Sequence, residues 1–567
     1  MPGLYQASFD LATELPESAY DYGARSSGET HGVVLTKPHV VSLILDLAGY
    51  TIDRDLPQLR LLEPSCGKGA FMVAAVERLL TVARRQGTDL LAIESPLLAF
   101  DIDESSVEAT KAAVTTVLEA NGVDAASAQE LAGRWIHRCD FLLRHEARRF
   151  DVIVGNPPYV RIEQLSARLQ SEYRARYRSL YDRADLYVAF IERALQLLSP
   201  SGVLSFICAD RWTVNKYGAP LREIITGAFR VACYVDLHSA SPFESDVVAY
   251  PSIFSVTAGS GGPVQTCTLA TASREECEAV LPSLAAGAPL SHGLTIATYE
   301  SWFSGTEPWI ITSPKHLSTL RSLESRFISI EATGKTRIRI GVATGDDKVY
   351  IVDETADIEP DRLVPLVMRS DIDHGEIKDA GRFVINTFRD DGGLIDLGEY
   401  PRLAAHFEAN ATSVRRRHVS QKNPASWFRT IDRVYPRLVG EPKLLVPDIA
   451  GANEVVYERG RFLPHHNLYF VTSDEWDMEV LGGLLSSKVA LFFVWSYAVK
   501  MRGGYLRFQA QYLRRIRVPS ATAISPAIAE SIRNAFRARD FERLDDLAME
   551  VYSLEALPEF DFVDTRS

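Results

Sequence analysis

The sequence is poor in cysteine and has no long apolar run, and both absences narrow the classes of protein that it can encode. Its six cysteines are scattered, with no C-x-x-C pair and no cluster of cysteines with histidines, so neither a zinc site nor a disulfide framework is predicted. The longest apolar run, at 489–499, is too short to span a bilayer. Residues 1–22 lack the basic and apolar regions of a signal peptide. We expect a cytoplasmic protein with reduced thiols, no bound metal and no membrane partner.

Repeats and low-complexity tracts are also missing, and the 46% apolar and 24% charged residues are ordinary for a globular protein. A single hydrophobic core stops growing at about 250 to 300 residues. The 567-residue chain is therefore expected to contain more than one domain. We place a first domain at 20–285, a connector at 286–329, a second, mixed α/β domain at 330–520 and a helical tail at 521–567.

The first domain alternates short apolar runs with helical patterns. Strands are predicted at 59–63, 97–102, 135–141, 150–155, 202–209, 232–237 and 250–257. Helices are predicted at 69–85, 104–121 and 185–198, where apolar residues recur at three- and four-residue spacing. This alternation predicts an α/β fold with a doubly wound, Rossmann-like sheet.

Positive charge is scarce overall, since the net charge is -13, but it is concentrated in two runs. Residues 402–437 contain eight basic and two acidic residues, and residues 500–517 contain six basic residues and no acid. Clustered basic residues neutralise phosphates, so a local DNA-binding face is one interpretation, and solvated helix faces are the other. The candidates for DNA contact are Arg415, Arg416, Arg417, Lys422, Arg502, Tyr505 and Arg507.

A glycine loop follows the first predicted strand, in the segment Glu63-Pro64-Ser65-Cys66-Gly67-Lys68-Gly69. Gly67 and Gly69 allow a tight turn and a close approach to a ligand, and the following helix presents free N–H groups at its start. The loop matches neither the full dinucleotide-binding fingerprint nor a P-loop. Taken alone, the loop therefore does not identify the ligand that it binds.

Acidic residues end the next two predicted strands. Asp101, which precedes Ile102 and Asp103, is placed to accept hydrogen bonds from ribose hydroxyls. Asp140, followed by Phe141, could hold an adenine amino group and one face of its ring. The alternative for each acid is a helix N-cap at the turn between strand and helix.

The fourth predicted strand runs directly into Asn156-Pro157-Pro158-Tyr159. Two consecutive prolines prevent this loop from pairing as a central strand and restrict its φ angles. The Asn156 amide and the Pro157 carbonyl are thereby held at the sheet edge, where two acceptors converge on one point. A proline-stiffened turn without a chemical role is the alternative.

These segments, in this order, resemble the class I S-adenosylmethionine-dependent methyltransferases. The Asn-Pro-Pro-Tyr tetrapeptide is similar to that of enzymes which methylate a planar amide or amino nitrogen. Residues 31–38 resemble the G-x-x-x-T-P segment of the gamma-class (TaqI-like) N6-adenine DNA methyltransferases of restriction-modification systems, with Lys37 inserted after Thr36. The resemblance continues at 185–187, 202–212 and 242–244, and more diffusely at 340–350 and 502–507 of the second domain.

The resemblance implies an S-adenosylmethionine cofactor and the transfer of its methyl group to N6 of an adenine flipped out of double-stranded DNA. The 330–520 domain would recognise the target sequence, and Tyr159 and Phe243 would stack on the target base. Asn156, Pro157, Pro158 and Tyr159 form the implied catalytic segment. The implied cofactor-binding residues are Thr36, Glu63, Pro64, Ser65, Gly67, Gly69, Asp101, Ile102, Asp140, Phe141 and Asn156.

Other functions stay open at this point. Glutamine-N5 protein methyltransferases use the same tetrapeptide on a planar amide, but they lack an added domain of this size. An RNA adenine methyltransferase is a second alternative. A non-catalytic DNA-recognition subunit is a third, although such a subunit has no physical need for an intact Asn156–Tyr159 segment. A separately encoded restriction endonuclease is the expected protein partner.

Overall fold

The protein is described here by a computed structural model that covers residues 34–93, 96–245, 250–451, 454–498 and 505–563. The chain divides into two compact units, Met1–Pro314 and Lys315–Ser567. The four-segment division inferred from the sequence stays a prediction. Two of its details differ from the structure, because the predicted connector contributes a strand to the first unit and the predicted tail packs inside the second.

The first unit is built on one nine-stranded sheet. Its strands are β1 Leu61–Glu63, β2 Leu97–Asp101, β3 Ile136–Arg138, β4 Phe150–Gly155, β5 Leu198–Ala209, β6 Phe229–Asp236, β7 Pro251–Ala258, β8 Val264–Leu269 and β9 Leu294–Tyr299. Its helices are α1 Pro38–Leu47, α2 Ala70–Gln86, α3 Glu104–Ala120, α4 Ala125–Trp135, α5 Ala167–Arg176, α6 Tyr187–Leu197, α7 Arg211–Val214, α8 Ala219–Ala228 and α9 Arg274–Ala286.

The strands follow the order β3-β2-β1-β4-β5-β7-β6-β8-β9. The pairs from β3 to β5 are all parallel, and β7 runs antiparallel to both β5 and β6. The strand order reverses between β1 and β4, and ligands of doubly wound sheets bind at the carboxyl ends of the strands at such a switch point. The predicted Rossmann-like α/β fold is confirmed, and the carboxyl ends of β1, β2 and β4 meet where the sequence motifs lie.

Local chemistry explains where the helices near this edge begin. Gly69, with φ 87°, precedes α2, and Gly87, with φ 67°, ends it in the left-handed conformation that glycine adopts without strain. The Asp103 carboxylate accepts a hydrogen bond from Ser106 N and caps α3.

The β4 strand is almost wholly buried, as its continuous apolar run predicts for a parallel strand covered on both faces.

The second unit combines short sheets with helices. Its strands are β10 Ile328–Ser329, β11 Thr336–Ile340, β12 Ile351–Asp353, β13 Leu363–Val367, β14 Ile372–Asp373, β15 Glu376–Ile377, β16 Arg382–Ile385, β17 Lys443–Pro447, β18 Ile449–Ala450, β19 Val456–Glu458, β20 Leu463–Pro464, β21 Leu468–Ser473, β22 Leu506–Arg507 and β23 Arg517–Val518. Its helices are α10 Pro314–Arg326, α11 Asp347–Tyr350, α12 Pro401–Ala409, α13 Ala411–Arg416, α14 His418–Lys422, α15 Met478–Ser486, α16 Lys488–Tyr497, α17 Ala510–Leu513, α18 Pro526–Ala538 and α19 Phe541–Tyr552.

Two four-stranded sheets, β11-β21-β17-β19 and β12-β16-β13-β20, form the centre of this unit. The predicted helical tail is confirmed as α18 and α19. Gly483 of α15 lies so close to Ile532 of α18 that an added Cβ would stand 2.4 Å from the Ile532 side chain, so the tail belongs to the core of the unit. Within the described ranges, no single helix is long and apolar enough to cross a membrane. In the same ranges, one pair of helices, α15 and α16, reaches this length and apolar character when taken together, with a bend of 61° between them.

All six cysteines are free, as the sequence predicts. Five are buried and Cys139 is partly buried, and burial raises the pKa of the Cys66 thiol. The thiols therefore act as small apolar side chains of the first unit.

Candidate active site

The glycine loop between β1 and α2 forms the floor of the site. Gly67 and Gly69 have φ angles of 50° and 87°, which side chains other than glycine rarely adopt. A Cβ on Gly69 would lie 3.0 Å from the Thr110 methyl group, and the Thr110 hydroxyl donates to Gly67 O at 2.8 Å. The loop is thus pressed against α3, which explains why glycine is required here.

Asp101 and Asp103 have different roles in the structure. Asp101 ends β2, and its carboxylate accepts hydrogen bonds from Gly67 N at 2.8 Å and from Asp103 N at 2.9 Å. Asp103 caps α3 instead. Asp101 therefore faces the glycine loop, and the N-cap alternative for this residue is wrong because its neighbour two positions along the chain fills that role.

Glu63 places a second carboxylate beside Asp101 at the end of β1. Its side chain is only 1% exposed, and its Oε2 has no hydrogen-bond partner among the described residues. Burial, with the nearby Asp101 charge as a second cause, raises the pKa of Glu63 well above its ordinary value. A buried carboxylate with one unpartnered oxygen is costly, so this position favours a cationic ligand group.

Asp140 and Phe141 form the opposite wall. Asp140 is 5% exposed, and it accepts hydrogen bonds from the Tyr173 hydroxyl at 2.6 Å and from Leu142 N at 2.9 Å. Burial raises the pKa of Asp140, and the hydrogen bond from Tyr173 lowers it in part. The Phe141 ring lies 5.3 Å from that of Phe190 of α6. This wall therefore offers a held carboxylate next to apolar ring faces.

Asn156 has a defined orientation at the end of β4. Its Nδ2 donates to Val34 O at 3.1 Å and to Thr36 Oγ1 at 3.3 Å. Because the carbonyl oxygen of Val34 can only accept, the amide nitrogen must point towards it, and Oδ1 must point the other way. Oδ1 is buried, and no described residue donates to it. A buried acceptor is thereby held ready for a donor from outside the chain.

Tyr159 and Phe243 provide aromatic surface beside Asn156. Their rings lie 6.3 Å apart at 85°, and the Tyr187 ring lies 6.2 Å from that of Tyr159. Phe243 forms an antiparallel bridge with Thr36, which joins the segment before α1 to the segment after β6. The Tyr159 hydroxyl is buried without a partner in the part of the chain that the structure describes.

The structure brings most of the predicted site residues to one cleft. Those that line it are Thr36, Glu63, Pro64, Ser65, Gly67, Asp101, Ile102, Asp140, Phe141, Asn156, Pro158 and Tyr159. Gly69, Pro157 and Phe243 lie outside this lining. Since the lining residues come mainly from four strand ends and from the segment before α1, they meet only when the sheet is assembled.

The cleft has several members that the sequence did not predict, and two functional side chains lie on helices outside the motif segments. Tyr173 of α5 holds Asp140 in place, and Phe190 of α6 lines the cleft. No motif marks Tyr173, because its hydrogen bond joins elements far apart in the chain. Phe190 follows Tyr187 by three residues and therefore lies on the same face of α6, and this spacing indicates a second aromatic side chain near the site.

The predicted DNA-contact residues of the first basic run differ in their surroundings. Arg415, Arg416 and Lys422 are exposed in the second unit. The Arg415 guanidinium lies 3.8 Å from the centroid of the Trp427 ring and 3.9 Å from the exposed Glu408 carboxylate, so this side chain covers an aromatic surface and has a partner for its charge.

Arg417 points inward instead. Its guanidinium donates to Thr344 O at 2.9 Å, to the Tyr350 hydroxyl at 2.7 Å, to Trp427 O at 2.8 Å and to Arg429 O at 2.8 Å. These bonds leave little of the guanidinium for a phosphate. We correct the interpretation of Arg417 from DNA contact to support of the loop that carries Thr344.

In the second basic run, Arg507 pairs with Asp448 and Tyr505 is 41% exposed. Pairing with Asp448 reduces the charge that Arg507 offers to DNA. Arg502 lies outside the described residues.

The strand order and the cleft at its switch point define the class I methyltransferase fold. The family model of the Eco57I restriction-modification methylase matches residues 96–243. The chain is 43% identical over 530 residues to the type II methyltransferase M.PaeR7I of Pseudomonas aeruginosa, covering 93% of this chain and 92% of that protein. It is 42% identical over 535 residues to the type II methyltransferase M.XhoI of Xanthomonas vasicola, covering 93% and 98%. The chain therefore belongs to the type II methyltransferase family of restriction-modification systems.

A solved structure agrees with this fold. The type IIL restriction-modification enzyme MmeI, solved in complex with DNA, matches with a TM-score of 0.59 at 11% identity, over 92% of this chain and 74% of that chain. At this identity the match supports the fold alone.

Proposed function

We propose that the protein transfers a methyl group from S-adenosylmethionine to N6 of adenine in double-stranded DNA. The observation that carries this proposal is the buried Asn156 Oδ1, which has no donor among the described residues while its Nδ2 is held by Val34 and Thr36. An amino group of a planar base supplies the missing donor. The family membership of the chain and the motif order support the same reaction.

The residues at the switch point fit S-adenosylmethionine. The unpartnered Glu63 Oε2 suits the cationic methionine part, and Asp101 at the end of β2 suits ribose hydroxyls. Asp140 and Phe141 suit the amino group and ring of its adenine. When bound, the cofactor supplies a methyl group that is activated by a positively charged sulfur.

Asn156 and Pro157 act on the target nitrogen. The lone pair of an adenine amino group is delocalised into the ring, which makes the nitrogen a poor nucleophile. Hydrogen bonds from N6–H to Asn156 Oδ1 and to the Pro157 carbonyl draw the nitrogen towards a tetrahedral geometry and localise that lone pair. Because Asn156 Oδ1 is oriented before the base arrives, this proposal attributes catalysis to preorganised electrostatics and orientation.

The target base has to leave the duplex to reach these acceptors. Base flipping costs a few kcal/mol, and stacking on aromatic rings offsets this cost by about 1–3 kcal/mol per base. Tyr159 is the main stacking residue in this proposal because it lines the cleft, and Phe243 supports its ring from the side.

DNA recognition is assigned to the second unit, with Arg415, Arg416 and Lys422 on phosphates. Three relatives whose names describe them as type II methyltransferases, with no nuclease in the name, match this chain over at least 92% of their own length. A separately encoded restriction endonuclease is the protein partner in this proposal.

The test is to incubate purified protein and radiolabelled S-adenosylmethionine with double-stranded DNA, with RNA or with a glutamine-containing protein in separate reactions, and to identify the methylated product by mass spectrometry. N6-methyldeoxyadenosine is expected at one recurring sequence. Label on another base, on RNA or on a protein glutamine would reject the proposed substrate. No transfer to any of these acceptors, together with no cofactor binding by calorimetry, would favour a non-catalytic recognition subunit.

A further inference from the structure

Three side chains capable of binding a metal converge in the second unit, at a place that the proposed reaction does not use. Asp347 begins α11, and His465 and His466 lie in the turn between β20 and β21. An Asp347 carboxylate oxygen lies 3.1 Å from His465 Nε2, and His466 Nδ1 lies 2.9 Å from the same nitrogen. The three donor atoms all lie within 4.8 Å of one another.

Hydrogen bonding alone satisfies this group poorly. His465 Nε2 and His466 Nδ1 face each other, so only one of them can carry a hydrogen between them. If His465 carries it, one N–H serves both His466 and Asp347. If His466 carries it, the lone pair of His465 Nε2 faces the Asp347 carboxylate at 3.1 Å. A cation among the three atoms removes this conflict, because each atom then acts as a ligand.

The backbone holds the two histidines against the loop that precedes α11. Val342 and His465 form a parallel bridge, and His466 N donates to Val342 O at 3.0 Å. The approach is so close that a Cβ on Gly341 would lie 2.2 Å from His465 O. The ligand positions are therefore defined by main-chain contacts.

A second interaction orients the carboxylate. The Thr344 hydroxyl donates to Asp347 Oδ1, so the other carboxylate oxygen is directed at His465. Partners of this kind orient metal ligands in proteins. His465 is 2% exposed, whereas the Asp347 side chain is 42% exposed, so one side of the group is open to solvent.

We infer that Asp347, His465 and His466 bind one divalent transition-metal ion, with zinc as the expected metal. Imidazole nitrogens and a carboxylate oxygen bind zinc at about 2.0–2.2 Å, which places tetrahedral ligand atoms about 3.3 Å apart. The observed 3.1 Å and 2.9 Å separations are close to that value. The fourth position is left to solvent, and the ion ties the start of α11 to the turn before β21. The sequence predicts no metal because these ligands are far apart in the chain.

The test uses the full-length protein after treatment with a chelator and dialysis. Titration with Zn²⁺ in a calorimeter should show one ion bound per chain, and Zn²⁺ should raise the unfolding temperature. Co²⁺ in place of Zn²⁺ should give the visible absorption bands of a tetrahedral site. Mg²⁺ prefers oxygen ligands and should give neither effect.

The variants His466→Asn and Asp347→Asn remove ligands on the solvent side and leave His465 in the core. Loss of a residue that only orients a metal ligand weakens metal binding by roughly 10- to 100-fold. Each of these variants loses a ligand itself, so each should weaken zinc binding by more than that. His374→Asn is the matched control, since His374 is an exposed histidine that lies 2.7 Å from Asp373 in the same unit. It should leave binding unchanged.

Failure of the wild-type protein to bind Zn²⁺, or equal binding by wild type and His466→Asn, would overturn the inference. Methyl transfer is not measured in this test, so its outcome is independent of the proposed function.

Discussion

The variant Asn156→Ala removes the buried acceptor and leaves the backbone of the loop in place. It breaks the hydrogen bonds from Nδ2 to Val34 O and Thr36 Oγ1, which contribute about 0.5–1.5 kcal/mol each. It also removes Oδ1, whose burial without a partner in the described chain costs about 1–3 kcal/mol. Because these terms nearly cancel, the unfolding temperature should change little.

Methyl transfer should fall much further. Loss of one preorganised hydrogen-bonding group at a reacting centre reduces kcat by about 100- to 1000-fold, or about 2.7–4 kcal/mol. The assay is single-turnover transfer of a labelled methyl group to DNA at saturating cofactor, which separates the chemical step from product release. Cofactor affinity, measured by calorimetry, should stay close to that of the wild type because Glu63 and Asp101 are unchanged.

The matched control is Asn121→Ala, which removes an asparagine whose Nδ2 donates to Val117 O at 2.8 Å, near the end of α3. It should transfer methyl groups at the wild-type rate. Near-normal turnover by Asn156→Ala, in a sample with an unchanged unfolding temperature, would refute the role assigned to Oδ1.

Three further predictions concern groups of both units. Tyr159→Phe should keep activity and raise stability slightly, because it removes a buried hydroxyl without a partner among the described residues. Tyr159→Ala removes the stacking ring and should weaken DNA affinity by about 1–3 kcal/mol. Burial raises the pKa of Glu63, so the Glu63 charge does not destabilise the cofactor-free fold below about pH 4.3 and destabilises it more as pH rises towards the folded pKa. The unfolding temperature of the cofactor-free protein should therefore fall as pH rises through this range, and Glu63→Gln should flatten that fall. Arg416→Ala and Lys422→Ala should each reduce the slope of the logarithm of the DNA-binding constant against the logarithm of the salt concentration by about one. Arg417→Ala should instead lower the free energy of unfolding by about 1.5–3 kcal/mol or more, measured by denaturant titration.

Much of the first unit could be predicted because its elements are short, strongly patterned and joined by motif residues. The end of β2 at Asp101 and the end of β4 before Asn156 follow from local sequence. The extension of the sheet by β8 and β9 was not predicted, and β9 lies in a segment without βα alternation. Its place depends on pairing with β8, a tertiary contact.

The second unit was predictable only in outline. A basic run shows that charge is present, but not which way each side chain points. Arg417 and Arg416 are neighbours in sequence, yet Arg417 donates to six carbonyl and hydroxyl oxygens, whereas Arg416 is exposed. That difference arises from packing of the loop at 344 against the segment at 427–429.

By itself, the sequence determined the α/β class, the order of the motifs and the tetrapeptide at Asn156, because strand ends, glycine turns and proline loops are local properties of the chain. Only the tertiary structure decided the direction of the Asn156 amide, which depends on Val34 and Thr36 reaching β4 from outside the sheet. It also decided the meeting of Asp347 with His465 and His466. Contacts between distant segments are set by how the whole chain buries its apolar surface, and a one-dimensional pattern does not contain that information.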